Sequence, residues 1–236
     1  MNFGKPIYVA PEIYQLRAIG ARVTVLVGDD GAVLVDTGGP GSVGAIASGL
    51  KRLGLSLGQV RWIYLTHYHP DHSGNLGRLA QETGAKVAMH KEEWPLLSGE
   101  GPAPSPFRNP LVAELTDPIV RRMYDSPATT DMLLEDGDEL ALDGQRKLQV
   151  VHTPGHTLGS ISLFVLPQKV LIVGDALQYR FGRIAPPAAS VTQDSAQAMQ
   201  SVRKLMALDF EAICFSHFPP IRNGAREALR RCFPEA

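Results

Sequence analysis

Apolar positions along the chain fall into two rounds of strand-like runs, each followed by helix-like periodicity. In the first round, residues 7–16 and 22–27 are rich in β-branched and aromatic side chains, and Asp29-Asp30-Gly31 reads as a turn into a strand over 32–35. That strand stops at Asp36-Thr37-Gly38-Gly39-Pro40-Gly41, a run of chain breakers. Ser42 is placed to cap a small-residue helix reaching about residue 53, with Gly54 as its stop. A short apolar strand over 60–65 then delivers the chain into Thr66-His67-Tyr68-His69-Pro70-Asp71-His72. A helix over 74–83 and a strand over 85–89 complete a strand–loop–helix–strand unit.

Residues 98–110 are dense in Pro and Gly, 111–124 reads as a helix and 125–131 as a second loop. The stretch 98–131 is therefore read as an insertion over one face of a single domain spanning 1–236. Strand character returns over 139–142, 147–151, 160–166 and 170–173. A helix over 195–208, a strand over 212–215 and a closing helix over 225–232 follow. Two sheet-plus-helix halves facing each other predict the α/β (α+β) class, as a four-layer αββα sandwich.

Composition narrows the partners. Lys plus Arg number 23 against 24 Asp plus Glu, a net charge of −1 that leaves no electrostatic footprint for nucleic acid or a membrane surface. The first residues lack a basic segment followed by an apolar run, and no stretch approaches the length of an apolar span. Neither Cys214 nor Cys232 belongs to a CxxC pair. The expectation is a cytoplasmic protein in a reducing compartment, acting on a small molecule, its oligomeric state left open.

Candidate chemistry sits at strand ends. His67-x-His69-x-Asp71-His72 packs four metal-capable side chains into six residues, and neutral imidazole and carboxylate are ordinary ligands for zinc. Pro154-Gly155 forces a tight turn before His156, which favours His156 over His152 as a ligand and leaves His152 as a supporting partner. Asp175 ends an apolar strand, where a lone buried charge is costly unless cations face it. His217 follows the strand over 212–215. His90 is read as a surface residue. No Ser or Cys nucleophile has a recognisable setting, since Gly159-Ser160 lacks the G-x-S-x-G context.

In these residues the chain resembles the metallo-β-lactamase superfamily. The segments run in order over nearly its whole length: Val35 to Gly38, the His67 to His72 motif, Pro154 to Thr157, Gly174-Asp175 and His217. The resemblance implies His67, His69 and His156 around one metal, Asp71, His72 and His217 around a second, and Asp175 as the bridge. It also makes Asp36 the carboxylate that orients a ligand histidine. Two divalent ions are implied, Zn²⁺ first, with iron or manganese as alternatives. The implied chemistry is attack on an ester-type bond (thioester, lactone or related ester) by a hydroxide shared between the metals, with Asp71 as a proton carrier.

Family members differ in ways that bear on the substrate. A bridging Asp argues against β-lactamase activity. Gln178 stands where lactonases of the family place a tyrosine, with Tyr179 one residue later. Phosphodiester cleavage on the same centre is the main alternative, and would call for Arg108, Arg180 and Arg183 clustered near the metals. An iron-holding redox protein is a further one. The substrate rim is assigned to Phe107, Tyr179 and Phe218, with Arg108, Phe181 and Arg183 as further candidates.

Overall fold

The computed structural model describes residues 3–99, 103, 105–127 and 129–234. Residues 100–102, 104 and 128 of the 98–131 insertion lie outside them. Seven strands form the first sheet in chain order: β1 (Pro6–Ala10), β2 (Ile13–Arg17), β3 (Arg22–Gly28), β4 (Gly31–Val35), β5 (Val60–Leu65), β6 (Lys86–His90) and β7 (Met132–Leu134). Pairing is antiparallel from β1 to β4 and parallel from β4 to β7.

The second sheet contains β8 (Glu139–Ala141), β9 (Lys147–His152), β10 (Ile161–Leu166), β11 (Val170–Ile172) and β14 (Ala212–Cys214). All its pairings are antiparallel except β11 with β14. A separate hairpin joins β12 (Gln178–Arg180) to β13 (Arg183–Ala185). The helices are α1 (Val43–Arg52), α2 (Pro70–Ser73), α3 (Leu76–Thr83), α4 (Trp94–Leu97), α5 (Pro110–Val120), α6 (Ser195–Met206) and α7 (Ala225–Cys232). Among the described residues no helix is long and apolar enough to cross a membrane.

Side-chain alternation along the strands sorts the core into three layers. On β4, Val33 and Val35 face the second sheet and meet Leu148, Leu163 and Val165 in the central core. Ala32 and Leu34 point the other way, against Ile46 and Leu50 of α1 and Leu79 of α3. The far face of the second sheet packs Phe164 and Leu171 on Val202 and Leu205 of α6 and Leu229 of α7. Helix, sheet, sheet and helix thus stack as four layers. The strands in the middle are apolar on both faces, so they read as continuous runs in the sequence.

Local differences from the sequence reading have simple causes. Residues 7–16 are two strands, folded back at Pro11-Glu12, where Pro removes a ladder donor and Glu12 takes φ 62°. Ser42 precedes α1 but does not cap it with its side chain. Its hydroxyl instead donates to Gly39 O (2.7 Å) and accepts from Ile19 N (3.0 Å), tying two loops together. The helix read over 74–83 is α3, which starts two residues later, and a separate short helix, α2, lies inside the histidine motif, so Asp71 and His72 are helical. Helix 111–124 ends as α5 at Val120 and tightens into a 3₁₀ turn. Strand β7 and the β12–β13 hairpin were not expected.

Candidate metal centre

Strand ends on one side of the sandwich deliver the chemistry. Asp36 follows β4, His67 follows β5, Asp175 follows β11 and His217 follows β14. The tight turn after β9 carries His156, and α2 turns Asp71 and His72 back toward the same point. Gly155 makes that turn feasible: it adopts φ 125°, and a Cβ there would run into the Ala198 backbone. Gly174 adopts φ 52°, where a Cβ would lie 2.9 Å from the Thr66 side chain.

Seven side chains converge as three overlapping groups whose donor atoms all lie within 4.8 Å of one another: His67, His69 and His156; His67, His72 and Asp175; Asp71, His72 and His217. His156 Nε2 lies 3.0 Å from His69 Nδ1. Asp175 sits between the groups, with Oδ1 3.5 Å from His72 Nε2 and Oδ2 3.1 Å from His217 Nε2 and 3.6 Å from His156 Nε2. His67 Nε2, His72 Nε2 and Asp175 Oδ1 are buried without a hydrogen-bond partner. Such orphans are costly unless a ligand meets them.

Partners behind the imidazoles fix which nitrogen faces inward. Asp36 Oδ2 takes His72 Nδ1–H at 2.8 Å. The Thr66 hydroxyl donates to Asp36 (2.9 Å) and so accepts from His67 Nδ1–H at 3.1 Å. His217 Nδ1–H donates to Gly20 O at 3.0 Å. In each case Nε2 is the nitrogen turned toward the interior. Asp36 itself holds φ 64°, a conformation unusual for a residue with a Cβ, stabilised by Thr66 N, Thr66 Oγ1 and His72.

Electrostatics divide the cluster. Burial and the neighbouring imidazoles hold His67 and His69 well below the usual histidine range, and burial lowers His156. These three are held neutral, the state in which an imidazole can bind a metal ion. Burial opposes charge on His72 as well, but Asp36, Asp71 and Asp175 outweigh it and push it up to about 10. His217 is likewise raised against burial by its bond to Asp175. Asp175 is held well below the carboxylate range, because His72 and His217 overcome the cost of burial.

Beside the cluster opens a cleft of about 430 Å³, lined by His69, Asp71, His156, Asp175 and His217 and walled by Phe107, Val120, Met123, Gln178, Arg180 and Val191. The insertion thus supplies much of the apolar wall, with Phe107 where the sequence placed it. Tyr179 is a correction. Strand alternation aims Gln178 and Arg180 at the cleft, and Tyr179 stacks on Phe215 in the core at 5.8 Å. Phe218 also packs into that core rather than the cleft, and Phe181 is fully exposed at the hairpin tip.

His90 and His152 are the other corrections. Strand β6 runs one residue further than expected, so His90 is buried and stacks on His152 with ring centroids 4.1 Å apart. His152 bonds Leu158 O at 2.9 Å and thus engages His90 and a loop carbonyl rather than the ligand cluster.

Glu93 escaped the sequence reading. Fully buried, it accepts from Tyr68 N (2.5 Å), Thr157 Oγ1 (2.7 Å) and Gly159 N (2.8 Å), joining the His67–His69 loop to the His156 loop. Burial pushes its carboxyl up to about 7 although those donors pull it down. Asn75 was missed as well. Its amide donates to the carbonyls of Thr37, Gly38 and Gly39 and its oxygen accepts from Gly41 and Ser42 N, holding the loop after Asp36. No periodicity marks either residue; only the hydrogen-bond needs of two breaker-rich loops hint that buried polar partners must exist.

Comparison with known proteins gives a consistent kinship. The sequence profile of the metallo-beta-lactamase superfamily matches residues 17–217. The probable metallo-hydrolase YflN of Bacillus subtilis is 33% identical over 204 residues, covering 80% of this chain and 76% of that protein. A hydroxyacylglutathione hydrolase of Cereibacter sphaeroides is 30% identical over 199 residues, covering 80% of this chain and 62% of its own length. In structure, the metallo-beta-lactamase family protein TTHA1429 of Thermus thermophilus superposes with a TM-score of 0.74 at 25% identity, over 95% of this chain and 79% of that one.

Proposed function

This chain belongs to the metallo-β-lactamase superfamily, and we propose that it is a metallo-hydrolase that cleaves ester-type bonds of small molecules at a two-metal centre, with zinc as the metal. The observation that carries this reading is the set of buried, unpartnered donor atoms His67 Nε2, His72 Nε2 and Asp175 Oδ1 within overlapping ligand-spaced groups. His67, His69 and His156 would hold one ion, and Asp71, His72 and His217 the other, with Asp175 between them. Neutral imidazoles on the first side and three carboxylates around the second fit divalent cations.

When bound, such ions supply Lewis acidity and make hydroxide available near neutral pH. The chain's own residues do the rest. Asp36 and Thr66 lock the ring orientations of His72 and His67. Asp71, one-third exposed at the cleft, is placed to carry a proton toward the leaving group. Phe107, Val120, Met123 and Val191 exclude water from the reacting bond and grip the apolar part of the substrate.

Of Arg108, Arg180 and Arg183, only Arg180 lines the cleft, which supports an ester over a phosphodiester. Kinship with a hydroxyacylglutathione hydrolase supports a thioester among the ester-type bonds. The test is metal analysis together with a panel of thioesters, lactones, β-lactams and phosphodiesters. About two zinc ions per chain with turnover of a thioester or lactone is expected. A metal-replete protein that cleaves none of these, or only the phosphodiester, would sink the reading.

A further inference from the structure

Sharing His217 with the cleft is a second cavity of about 350 Å³, lined also by Phe3, Arg17, Gly20, Arg22 and Ser216. The His217 ring is held there by its Nδ1–H bond to Gly20 O, another lining residue of this second cavity.

Two cations face this cavity without an anion. Arg17 and Arg22 stand directly opposite each other across the β2–β3 pair, where like charges destabilise a sheet. Arg22 Nε and Nη1 are buried with no hydrogen-bond partner. Burial and the charge on Arg17 both lower the Arg22 guanidinium from its ordinary value. Arg17 rests over the Phe3 ring at 5.9 Å. Cys214 cannot serve as counter-ion, since burial pushes its thiol up to about 12 and keeps it neutral. None of the residues lining the cavity is acidic.

A repelling pair of cations lining a cavity that has no acidic residue is an arrangement an oxyanion completes. Guanidinium groups bind carboxylate and phosphate through their N–H donors, and an ion here would relieve the repulsion. We infer that the Arg17–Arg22 cavity is an anion subsite that receives a carboxylate or phosphate group of the substrate, next to the edge of the metal centre formed by His217. The link to the substrate rests on the hydrolase reading above; the anion site itself does not.

The experiment titrates inorganic phosphate into the metal-loaded protein by calorimetry, for the wild type and for Arg17→Gln and Arg22→Gln. Binding to the wild type, weakened at least about tenfold in the variants, is expected, which corresponds to about 1.4 kcal/mol. Arg17 is exposed, so Arg17→Gln gives the same reading should Arg22→Gln fail to fold. Equal phosphate binding by wild type and Arg17→Gln, or none by the wild type, overturns the site. A second arm compares a succinyl thioester with the matched acetyl thioester. The ratio of their kcat/KM values should fall about tenfold or more in Arg17→Gln. Arginine-dependent phosphate binding with an unmoved ratio overturns the substrate assignment. Arginine-dependent phosphate binding with neither ester cleaved leaves the anion site standing and counts against the hydrolase reading alone.

Discussion

Asp36 Oδ2 lies 2.8 Å from His72 Nδ1, and the same carboxylate takes the Thr66 hydroxyl that in turn meets His67. One buried residue therefore sets the ring orientation of two imidazoles on different sides of the centre. Removing it should loosen both. Asp36→Ala is expected to weaken metal affinity by about 10–100-fold, read by competition with a chelator. Unchanged affinity would show that the rings are oriented by packing alone.

Direct loss of a donor should be harsher. His69→Ala and Asp175→Ala are each expected to lose at least part of the bound metal and to lower kcat by roughly a hundredfold or more. Metal content and turnover are measured on the same preparation. Full activity with a full metal complement would refute the ligand assignment.

The residues that converge here were legible in the sequence because they lie at, or a few residues past, the ends of apolar strands, and strands of this kind are visible as continuous runs. Partners reached only through tertiary folding were not. Glu93 lies on no periodic face, yet it bonds three backbone or hydroxyl donors from two distant loops. Tyr179 was misplaced because the β12–β13 hairpin went unseen, and with it the alternation that turns Gln178 and Arg180 outward. The signal was present in Phe181-Gly182, both at positive φ in the turn, but a bulky residue in that conformation is rare enough to hide a two-residue hairpin.

Glu93→Ala leaves the Tyr68 and Gly159 N–H groups and the Thr157 hydroxyl without their acceptor. At about 1–3 kcal/mol for each buried orphan, a loss of several kcal/mol is expected in chemical denaturation. A change below about 1 kcal/mol would mean that water replaces the carboxylate at little cost.

Gly155→Ala tests the turn that presents His156. The side chain would demand space held by the Ala198 backbone, in a conformation that residues with a Cβ rarely adopt. A stability loss of more than about 1 kcal/mol, together with weakened metal binding, is expected. A wild-type melting temperature and wild-type metal affinity would show that the turn relaxes freely.

The stacked pair of His90 and His152 should give the fold an acid-sensitive component. Burial, then His152 and Lys91, push His90 down to about 4 from an ordinary 6.5. Between those values the unfolded chain binds a proton that the folded chain refuses. The His90 contribution to stability is therefore complete above pH 6.5 and declines as the pH falls toward 4. His90→Phe should flatten this part of the profile, at about 2–4 °C of melting temperature per kcal/mol in a domain of this size. Parallel pH profiles for the two proteins would contradict it.

Four of the convergent side chains, His67, His69, Asp71 and His72, hang from the first sheet and its helices, while His156, Asp175 and His217 hang from the second. The centre is thus a clasp across the seam of the sandwich. Anything that parts the two sheets opens the cluster without altering a single strand, and ions seated there would hold the seam shut. Thermal stability and metal occupancy in this protein should consequently rise and fall together.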